Sequence, residues 1–340
     1  MGFTFILPVI HPESNQVGNY SHVELILKRT LETLKKQSLG DVKIIVVCCK
    51  IPSWTQEIGS NVFFLDVSKS DIFKPNPNSA KDSNLRRYDK GLKYILGILY
   101  AQSKFKTDLF MRVDADDYVN TRLVEYSLES IKKLSESTLF DGYVLNKGLE
   151  VEISVTQNNE IKYGKTYLIK DFDRSCGTCH IFKKTTLVKK LLEIHSDILE
   201  KSNWCFSSAK NQNFIVPKEF LDWLGNITKN DFTEECHPVN ILGRHVKLEK
   251  YFTFVPIPFM GAAKACGHGN HVGHKRGGIH FDRVVSQLPT RIFKSAFGVH
   301  KTFRAIITPM LLYMNVMFYL YSKSEKIKGY VSGKVRIKIG

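Results

Sequence analysis

The sequence has 340 residues, of which 43% are hydrophobic and 24% charged, as in ordinary globular proteins with one large domain or two. Lys and Arg number 49 against 33 Asp and Glu. The net charge of +16 predicts an anionic partner: nucleic acid, an anionic membrane surface or a phosphorylated substrate. The first residues have neither a basic segment nor a cleavage site, which argues against a signal peptide. Seven Cys, with Cys48 and Cys49 adjacent, predict reduced thiols and a cytosolic setting.

The first 134 residues alternate short apolar runs with amphipathic stretches. The apolar runs have the length and β-branched composition of buried strands, and the other stretches have apolar residues at helical spacing. This alternation predicts an α/β fold with a doubly wound, mainly parallel sheet flanked by helices. The predicted strands cover residues 3–9, 42–49, 62–67 and 109–113, and the predicted helices cover residues 23–34, 85–102 and 122–134.

The pattern changes after residue 134. Two strand-like stretches joined by a turn at residues 157–159 predict a hairpin, and a Gly-centred segment from Ser175 leads into another strand. Residues 201–230 are predicted to be a polar insertion. The other predicted elements are strands at 140–155, 160–169 and 252–259, a helix at 187–199, and a loop rich in Gly and His at 261–278.

The most informative stretch is 108–120, in which an apolar run ends in Asp114, Asp116 and Asp117. Three carboxylates so close together repel one another and lose hydration unless a positive group lies between them. Mg²⁺ and Mn²⁺ favour carboxylate oxygens and keep open positions for phosphate. In an open α/β sheet, the carboxyl end of a strand is also where ligands bind. The alternative is that Asp117 or Asn120 only caps the next helix.

Residues 113–117, Val-Asp-Ala-Asp-Asp, resemble the Asp-x-Asp motif of the GT-A glycosyltransferases, which use nucleotide-sugar donors. The resemblance covers about residues 3–278. It implies a GT-A fold in which residues 1–135 bind the nucleotide sugar and residues 136–285 form the acceptor-binding and catalytic half of the same domain. Further segments that resemble the family are Phe-Ile-Leu-Pro-Val-Ile at 5–10, the helix at 31–38 and the strand at 42–49.

The resemblance also implies a donor site. In the family, the end of the first strand meets the nucleotide base, a helix N-terminus covers the diphosphate, and a segment after the hairpin forms the floor of the sugar pocket. The residues that match these positions are Pro8, Ile10, His11, Arg86, Asp89, Lys90, Asp114, Ala115 and Gly177. The implied cofactor is a divalent cation, Mn²⁺ or Mg²⁺, bound by Asp116, Asp114 and a late histidine, for which His271 is the first choice and His268 the second.

Sugar transfer from a nucleotide sugar requires stabilisation of the diphosphate leaving group and a general base. Breaking a sugar–phosphate bond develops negative charge on the diphosphate, which a divalent cation and nearby Lys or Arg stabilise. The attacking hydroxyl must lose a proton, so a general base is needed. The resemblance favours Glu235, with Glu234 next, although Glu-Glu-Cys-His departs from the family's usual sequence. The alternative is a helix start that is acidic because the helix dipole favours it.

Two other readings concern the late His and Cys residues. His268, His271 and His274, spaced by three in a Gly-rich loop, could bind a metal or a phosphate without reference to any family, or could lie in a solvated loop. Cys176 and Cys179 could instead form a structural zinc site with Cys266 and His268.

Residues 286–340 are predicted to be a basic, amphipathic helical tail. From residue 291 onward, ten Lys or Arg stand against one Glu. The apolar stretch 305–321 is too short and too interrupted to span a membrane. Both a helix in an anionic membrane interface and a helix packed on the domain fit this pattern.

The resemblance therefore implies a metal-dependent glycosyltransferase that moves a sugar from a nucleotide-sugar donor to a glycan or lipid-linked acceptor in cell-surface polysaccharide synthesis. The expected location is the cytoplasm, either free or peripheral on the inner face of the membrane. One alternative is a nucleic-acid-binding protein, but the positive charge concentrates in the tail and no nucleic-acid partner is expected. The other is a nucleotidyltransferase, which would normally carry a Gly-rich phosphate loop after the first strand, where residues 10–20 contain only Gly18.

Overall fold

The alternating apolar patterns fold as the sequence predicts in the first half. The computed structural model describes residues 1–39, 41–75, 83–133, 140–209, 211–229, 237–244, 248–257, 259–268 and 284–299. The strands are β1 Phe3–Pro8, β2 Val42–Cys48, β3 Val62–Asp66, β4 Leu109–Arg112, β5 Tyr118–Val119, β6 Gly142–Val144, β7 Lys147–Val155, β8 Ile161–Lys170, β9 His180–Lys183, β10 Asn213–Ile215, β11 Phe254–Pro256, β12 Ala262–Cys266 and β13 Val284–Leu288. The α-helices are α1 Tyr20–Lys35, α2 Ser83–Lys104, α3 Leu123–Lys133, α4 Lys184–Ile194, α5 Ile198–Ser207, α6 Lys218–Lys229, α7 Pro238–Gly243 and α8 Thr290–Ala296.

The main sheet has eight strands in the order β10-β3-β2-β1-β4-β9-β6-β11. The pairs from β10 through β4 are parallel, whereas β9 runs antiparallel to both β4 and β6. The predicted α/β class with a mainly parallel sheet is therefore confirmed. Because β2 and β3 lie on one side of β1 and β4 lies on the other, the strand order reverses between β1 and β4. In open α/β sheets, that reversal is where ligands bind, at the carboxyl ends of the strands.

A second sheet has the order β13-β8-β7-β12-β5. The predicted hairpin is confirmed as the antiparallel pair β7 and β8, and Asn159 in its turn has a positive φ of 56°. β12 runs beside β7 and β5, so the chain immediately after β4 is tied to this second sheet.

Two apolar cores lie around the main sheet. Alternate residues of β1 enter different cores, with Phe5 in one and Ile6 in the other, as expected for a strand buried on both faces. α1 contributes Leu27 and Leu31 to the first core, and α2 contributes Leu92 to the second. Packing in these cores holds β1, β4 and α2 in place relative to one another.

The second half departs from prediction at several points. The strand predicted at 140–155 is two strands in different sheets, because the chain crosses from one sheet to the other between β6 and β7. The helix predicted at 187–199 is divided by the extended backbone of His195. The stretch 201–230 is not a polar insertion, because β10 extends the main sheet and Phe220 and Leu221 of α6 are buried.

The predicted tail also begins inside the fold. Its boundary at residue 286 falls within β13, which pairs with β8, and Phe293 of α8 is fully buried against Tyr118. Aromatic packing onto the second sheet explains this attachment, which charge counting does not detect. Residues 300–340 lie outside the described residues. No helix in the described part of the chain is long and apolar enough to cross a membrane.

Candidate active site

The candidate site lies at the carboxyl ends of β1 and β4, where the strand order reverses. Residues 114–117, called the acidic turn here, follow β4 directly. The first turns of α2 supply three of the predicted side chains: Arg86, Asp89 and Lys90. Arg86 and Lys90 are four residues apart and therefore share one face of the helix. The topology thus brings the acidic turn and these charged groups to one end of the sheet.

Asp114 is paired with cations. Its Oδ1 lies 2.5 Å from Lys90 Nζ and 4.0 Å from Arg112 Nε. About a quarter of the Asp114 side chain is exposed. Burial by itself would raise the pKa of Asp114, but the charges of Lys90 and Arg112 outweigh it and hold the pKa below its ordinary value. Asp114 is therefore a carboxylate at neutral pH, already partly neutralised by protein cations.

Asp116 is paired with a histidine. His268 Nε2 lies 3.1 Å from Asp116 Oδ2, and His268 itself is buried. Gly267, just after β12, has a φ of +85°, a conformation that favours glycine and turns the chain before His268. The second-choice histidine of the sequence prediction thus contacts the predicted metal ligand, while His271 lies outside the described residues.

Asp117 has a different environment from its two neighbours. It is buried, and its Oδ2 accepts hydrogen bonds from Thr178 Oγ1 at 2.6 Å and Cys176 Sγ at 3.1 Å. The backbone N–H of Ala265 in β12 donates to Oδ1 at 3.4 Å. Burial, together with the charges of Asp116 and Asp114, raises the pKa of Asp117 well above its ordinary value. Asp117 therefore ties the acidic turn to the segment before β9 and to β12.

The segment before β9 meets the acidic turn because β9 runs antiparallel to β4. Thr178 Oγ1 accepts a hydrogen bond from the backbone N–H of Asp114 at 2.9 Å. A Cβ added at Gly177 would lie 2.4 Å from Asp114 Oδ2, closer than real side chains approach. Asp114 therefore occupies the space next to Gly177, and the predicted approach of a substrate to the Gly177 backbone stays a prediction.

The end of β1 is held by a buried lysine. Lys93 Nζ donates to the carbonyl oxygen of Val9 at 2.9 Å and pairs with Asp89 at 2.9 Å. His11 lies nearby, and burial followed by the charge of Lys93 lowers its pKa. Pro8 ends β1 opposite Val47 of β2. The predicted base-binding residues Pro8, Ile10 and His11 are therefore next to α2, across the strand reversal from Asp114.

Several charged groups of this region were missed in the sequence. Arg112 was hidden in the apolar run of β4, and Lys93 lies on the apolar face of α2. Glu150 of β7 is fully buried, and Lys264 of β12 lies 3.6 Å from it. Charged residues at positions that the helical or strand period turns inward are the signal that would have identified them.

The remaining predicted site residues are Glu234, Glu235, His271 and Ala115. Glu234, Glu235 and His271 lie outside the described residues. In the described ranges, no group of three or more His, Cys, Asp or Glu side chains is arranged to hold a metal ion. Ala115 is in the acidic turn, where its carbonyl oxygen accepts a hydrogen bond from Thr30 Oγ1 at 3.1 Å. That contact attaches the turn to α1.

The chain has distant likenesses among solved structures. S. aureus TarS (residues 1–349) in complex with UDP is 12% identical, with a TM-score of 0.31 over 70% of this chain and 68% of that chain. The galactosyltransferase LgtC with donor and acceptor sugar analogues is also 12% identical, with a TM-score of 0.30 over 92% of this chain and 100% of that chain. A 4-diphosphocytidyl-2C-methyl-D-erythritol synthase from Anaerococcus prevotii is 9% identical, with a TM-score of 0.26 over 67% and 96%. No protein-family model and no curated protein matches the sequence. With identities and TM-scores this low, no activity is carried over from these proteins to this chain.

Proposed function

We propose that this protein is a metal-dependent glycosyltransferase that takes its sugar from a nucleotide-sugar donor. The main support is the meeting of two polar pairs, Lys90 with Asp114 and Asp116 with His268, where the strand order reverses. A diphosphate leaving group requires positive charge next to oxygen-rich metal ligands, and the lysine and the carboxylates of these pairs support this assignment. The Asp-x-Asp resemblance in the sequence points to the same residues.

In this proposal the donor lies across the ends of β1 and β4. The base contacts Pro8, Ile10 and His11, and the diphosphate contacts Lys90 and Arg86 on α2. The sugar lies over Asp114, Ala115 and Gly177, and a Cβ at Gly177 would lie only 2.4 Å from Asp114 Oδ2. Residues 1–135 would then supply the donor side, and residues 136–285 the acceptor side.

Asp116 and His268 would hold the cation, with Asp114 and His271 as further candidates. Carboxylate and imidazole are ligands that Mn²⁺ accepts readily, and Mg²⁺ would use the carboxylates. Asp116 Oδ2 and His268 Nε2 are already adjacent at 3.1 Å, so these two donors fit a shared ion. A bound cation would neutralise the charge that develops on the departing diphosphate. Lys90 would add a second, fixed positive charge beside Asp114.

The acceptor is proposed to be a glycan or a lipid-linked glycan of a cell-surface polysaccharide. Glu235, with Glu234 next, is proposed to remove the proton from the attacking hydroxyl. The basic residues from 291 onward would favour a position on the inner face of an anionic membrane. Binding to anionic and neutral vesicles, with and without residues 300–340, tests this part separately from the chemistry.

The decisive test is a thermal-shift screen of UDP, GDP, CDP and dTDP, each with and without manganese chloride. One diphosphate is expected to raise the melting temperature only when Mn²⁺ is present, because selective binding stabilises the folded state by mass action. The Asp116→Asn variant should lose this shift. Failure of all four to stabilise the wild-type protein would contradict the proposal. Release of pyrophosphate from a nucleoside triphosphate would instead favour the nucleotidyltransferase alternative.

A further inference from the structure

We infer that Arg112 is a positioning residue, which fixes the acidic turn against α7 and against the segment 176–178. The inference rests on the proposed function, because it treats the acidic turn as the part of the site that binds the metal and the donor. Arg112 is the last residue of β4, two positions before Asp114. It is 4% exposed, so we expect its side chain to influence a bound nucleotide sugar through the neighbouring residues and not by direct contact.

The guanidinium of Arg112 joins three separate parts of the chain. Nη1 donates to the carbonyl oxygen of Leu242 at 2.5 Å, and Nη2 donates to that of Arg244 at 2.7 Å. A longer contact of 3.5 Å joins Nη2 to the carbonyl oxygen of Gly177. Nε, which has no hydrogen-bond partner among the described residues, lies 4.0 Å from Asp114 Oδ1. One planar group therefore contacts the end of α7, the segment before β9 and the acidic turn.

A purely structural role would be the capping of α7. The last carbonyls of a helix lack partners within the helix, and a buried arginine can satisfy them. Capping explains the bonds to Leu242 and Arg244, but it does not require the contact with Gly177 or the approach to Asp114. A Cβ at Gly177 would lie 2.4 Å from Asp114 Oδ2, so both Arg112 and Gly177 lie close to that carboxylate.

α7, which Arg112 contacts, packs closely against α2. A Cβ on Gly91 of α2 would lie 2.0 Å from the carbonyl oxygen of Val239, and a Cβ on Gly243 would lie 2.1 Å from that of Arg87. α7 and the first turns of α2 are thus in direct backbone contact. Because Lys90 is on α2, movement of α7 would displace Lys90 as well as Asp114. Arg112 therefore lies near Asp114 and is also linked to Lys90 indirectly, because it binds the end of α7 and α7 packs against α2.

The geometry requires an arginine. Two nitrogens of one planar group donate to three different carbonyls, while Nε lies 4.0 Å from the Asp114 carboxylate. A lysine would keep the charge but could not hold these positions together. Groups that orient metal-binding residues change affinity about 10–100-fold when they are lost, although they touch neither metal nor substrate.

The test is isothermal titration calorimetry of UDP, GDP, CDP and dTDP with manganese chloride, on the full chain. Arg112→Gln is expected to bind the diphosphate that the wild type prefers about 10–100-fold more weakly, and Arg112→Lys is expected to lie between the two. Leu221→Ala, in the buried face of α6, is the control for general destabilisation, because truncating a buried leucine lowers stability at a place remote from the acidic turn. This control should retain wild-type affinity. All titrations are made below the melting temperature of each variant.

The outcomes separate the inference from the function on which it rests. Wild-type affinity in folded Arg112→Gln would overturn the positioning role and leave the proposed function standing. If Arg112→Gln does not fold, Arg112→Lys replaces it, and wild-type affinity in that variant has the same meaning. An equal loss of affinity in Leu221→Ala would reduce the effect to stability and also overturn the inference. A wild-type protein that binds none of the four diphosphates would overturn both proposals.

Discussion

The acidic turn contains aspartates in two different environments. Asp114 and Asp116 are each about a quarter exposed and are paired with Lys90 and His268. Asp117 is 2% exposed and accepts hydrogen bonds from Thr178, Cys176 and Ala265. The contrast teaches that a cluster of carboxylates at the end of a strand combines two tasks. One carboxylate attaches the turn to the protein, and the other two pair with side chains of the candidate site.

The largest expected effect separates these tasks at Asp116. We expect Asp116→Asn to lower transfer activity by about 10²–10³-fold, because it weakens the charge stabilisation of the leaving group. Its free energy of unfolding should stay within about 1 kcal/mol of wild type, since the side chain is partly exposed and lies beside two other carboxylates. Transfer activity is measured with a nucleotide-sugar donor in the presence of Mn²⁺, and the free energy of unfolding is measured with urea. Near-normal turnover would remove Asp116 from the site.

The opposite result is expected at Asp117. Asp117→Ala removes the Oδ2 acceptor of the buried Thr178 hydroxyl, and should lower the free energy of unfolding by about 1–3 kcal/mol. Asp117→Asn keeps an acceptor for Thr178 and is the matched control, with a loss of about 1 kcal/mol or less. Urea unfolding of both variants provides the measurement. Equal stability of Asp117→Ala and wild type would contradict the anchoring role.

A smaller effect is expected from Lys90. Lys90→Met keeps much of the side chain's length but removes the charge next to Asp114. We expect affinity for the preferred nucleoside diphosphate to fall about tenfold, the size of one charge-assisted contact. Lys28→Met is a suitable control, because Lys28 pairs on the surface with Glu57. Calorimetric titration with Mn²⁺ compares the two variants, and the same affinity in both would exclude a diphosphate contact by Lys90.

The smallest expected effect concerns pH and His11. Burial and the charge of Lys93 lower the pKa of His11, and its Nδ1 accepts a hydrogen bond from the backbone N–H of Glu13. The folded state disfavours protonated His11. The stabilisation from neutral His11 is therefore complete above pH 6.5 and is lost as the pH falls through the pKa of His11 in the folded state. Wild type should therefore lose more stability than His11→Gln between pH 7.5 and 5.5, an interval of ~2 units centred on the ordinary histidine pKa of 6.5. Urea unfolding at both pH values measures the difference, and identical losses would contradict it.

Local patterns predicted the first half of the fold better than the second. β1, β2, β3 and β4 are each a single apolar run in one sheet, so period and length suffice to identify them. Residues 140–155 are also apolar, but they cross from one sheet to the other, and nothing in their period marks the crossing. The buried positions of Phe220 and Leu221 within a mainly polar stretch were missed for a related reason, since a few apolar residues on one helix face were outweighed by the polar average.

The candidate site was predicted in part. The sequence singled out Asp114, Asp116 and Lys90, and the fold brings them to one end of the sheet. It could not distinguish Asp117 from Asp116, because their surroundings come from Thr178 and Ala265, which are distant in the chain. Arg112 was overlooked since the two carbonyls that it binds most closely lie at the end of α7 and just after it, about 130 residues later.

By itself, the sequence determined the alternation of strands and helices and the position of three carboxylates directly after a buried strand. Both are local properties, set by side-chain period and by composition. Only the tertiary structure decided which carboxylate meets a lysine, which meets a histidine and which is buried as an anchor. The physical reason is that burial and charge pairing depend on segments that the strand order brings together from far apart in the chain.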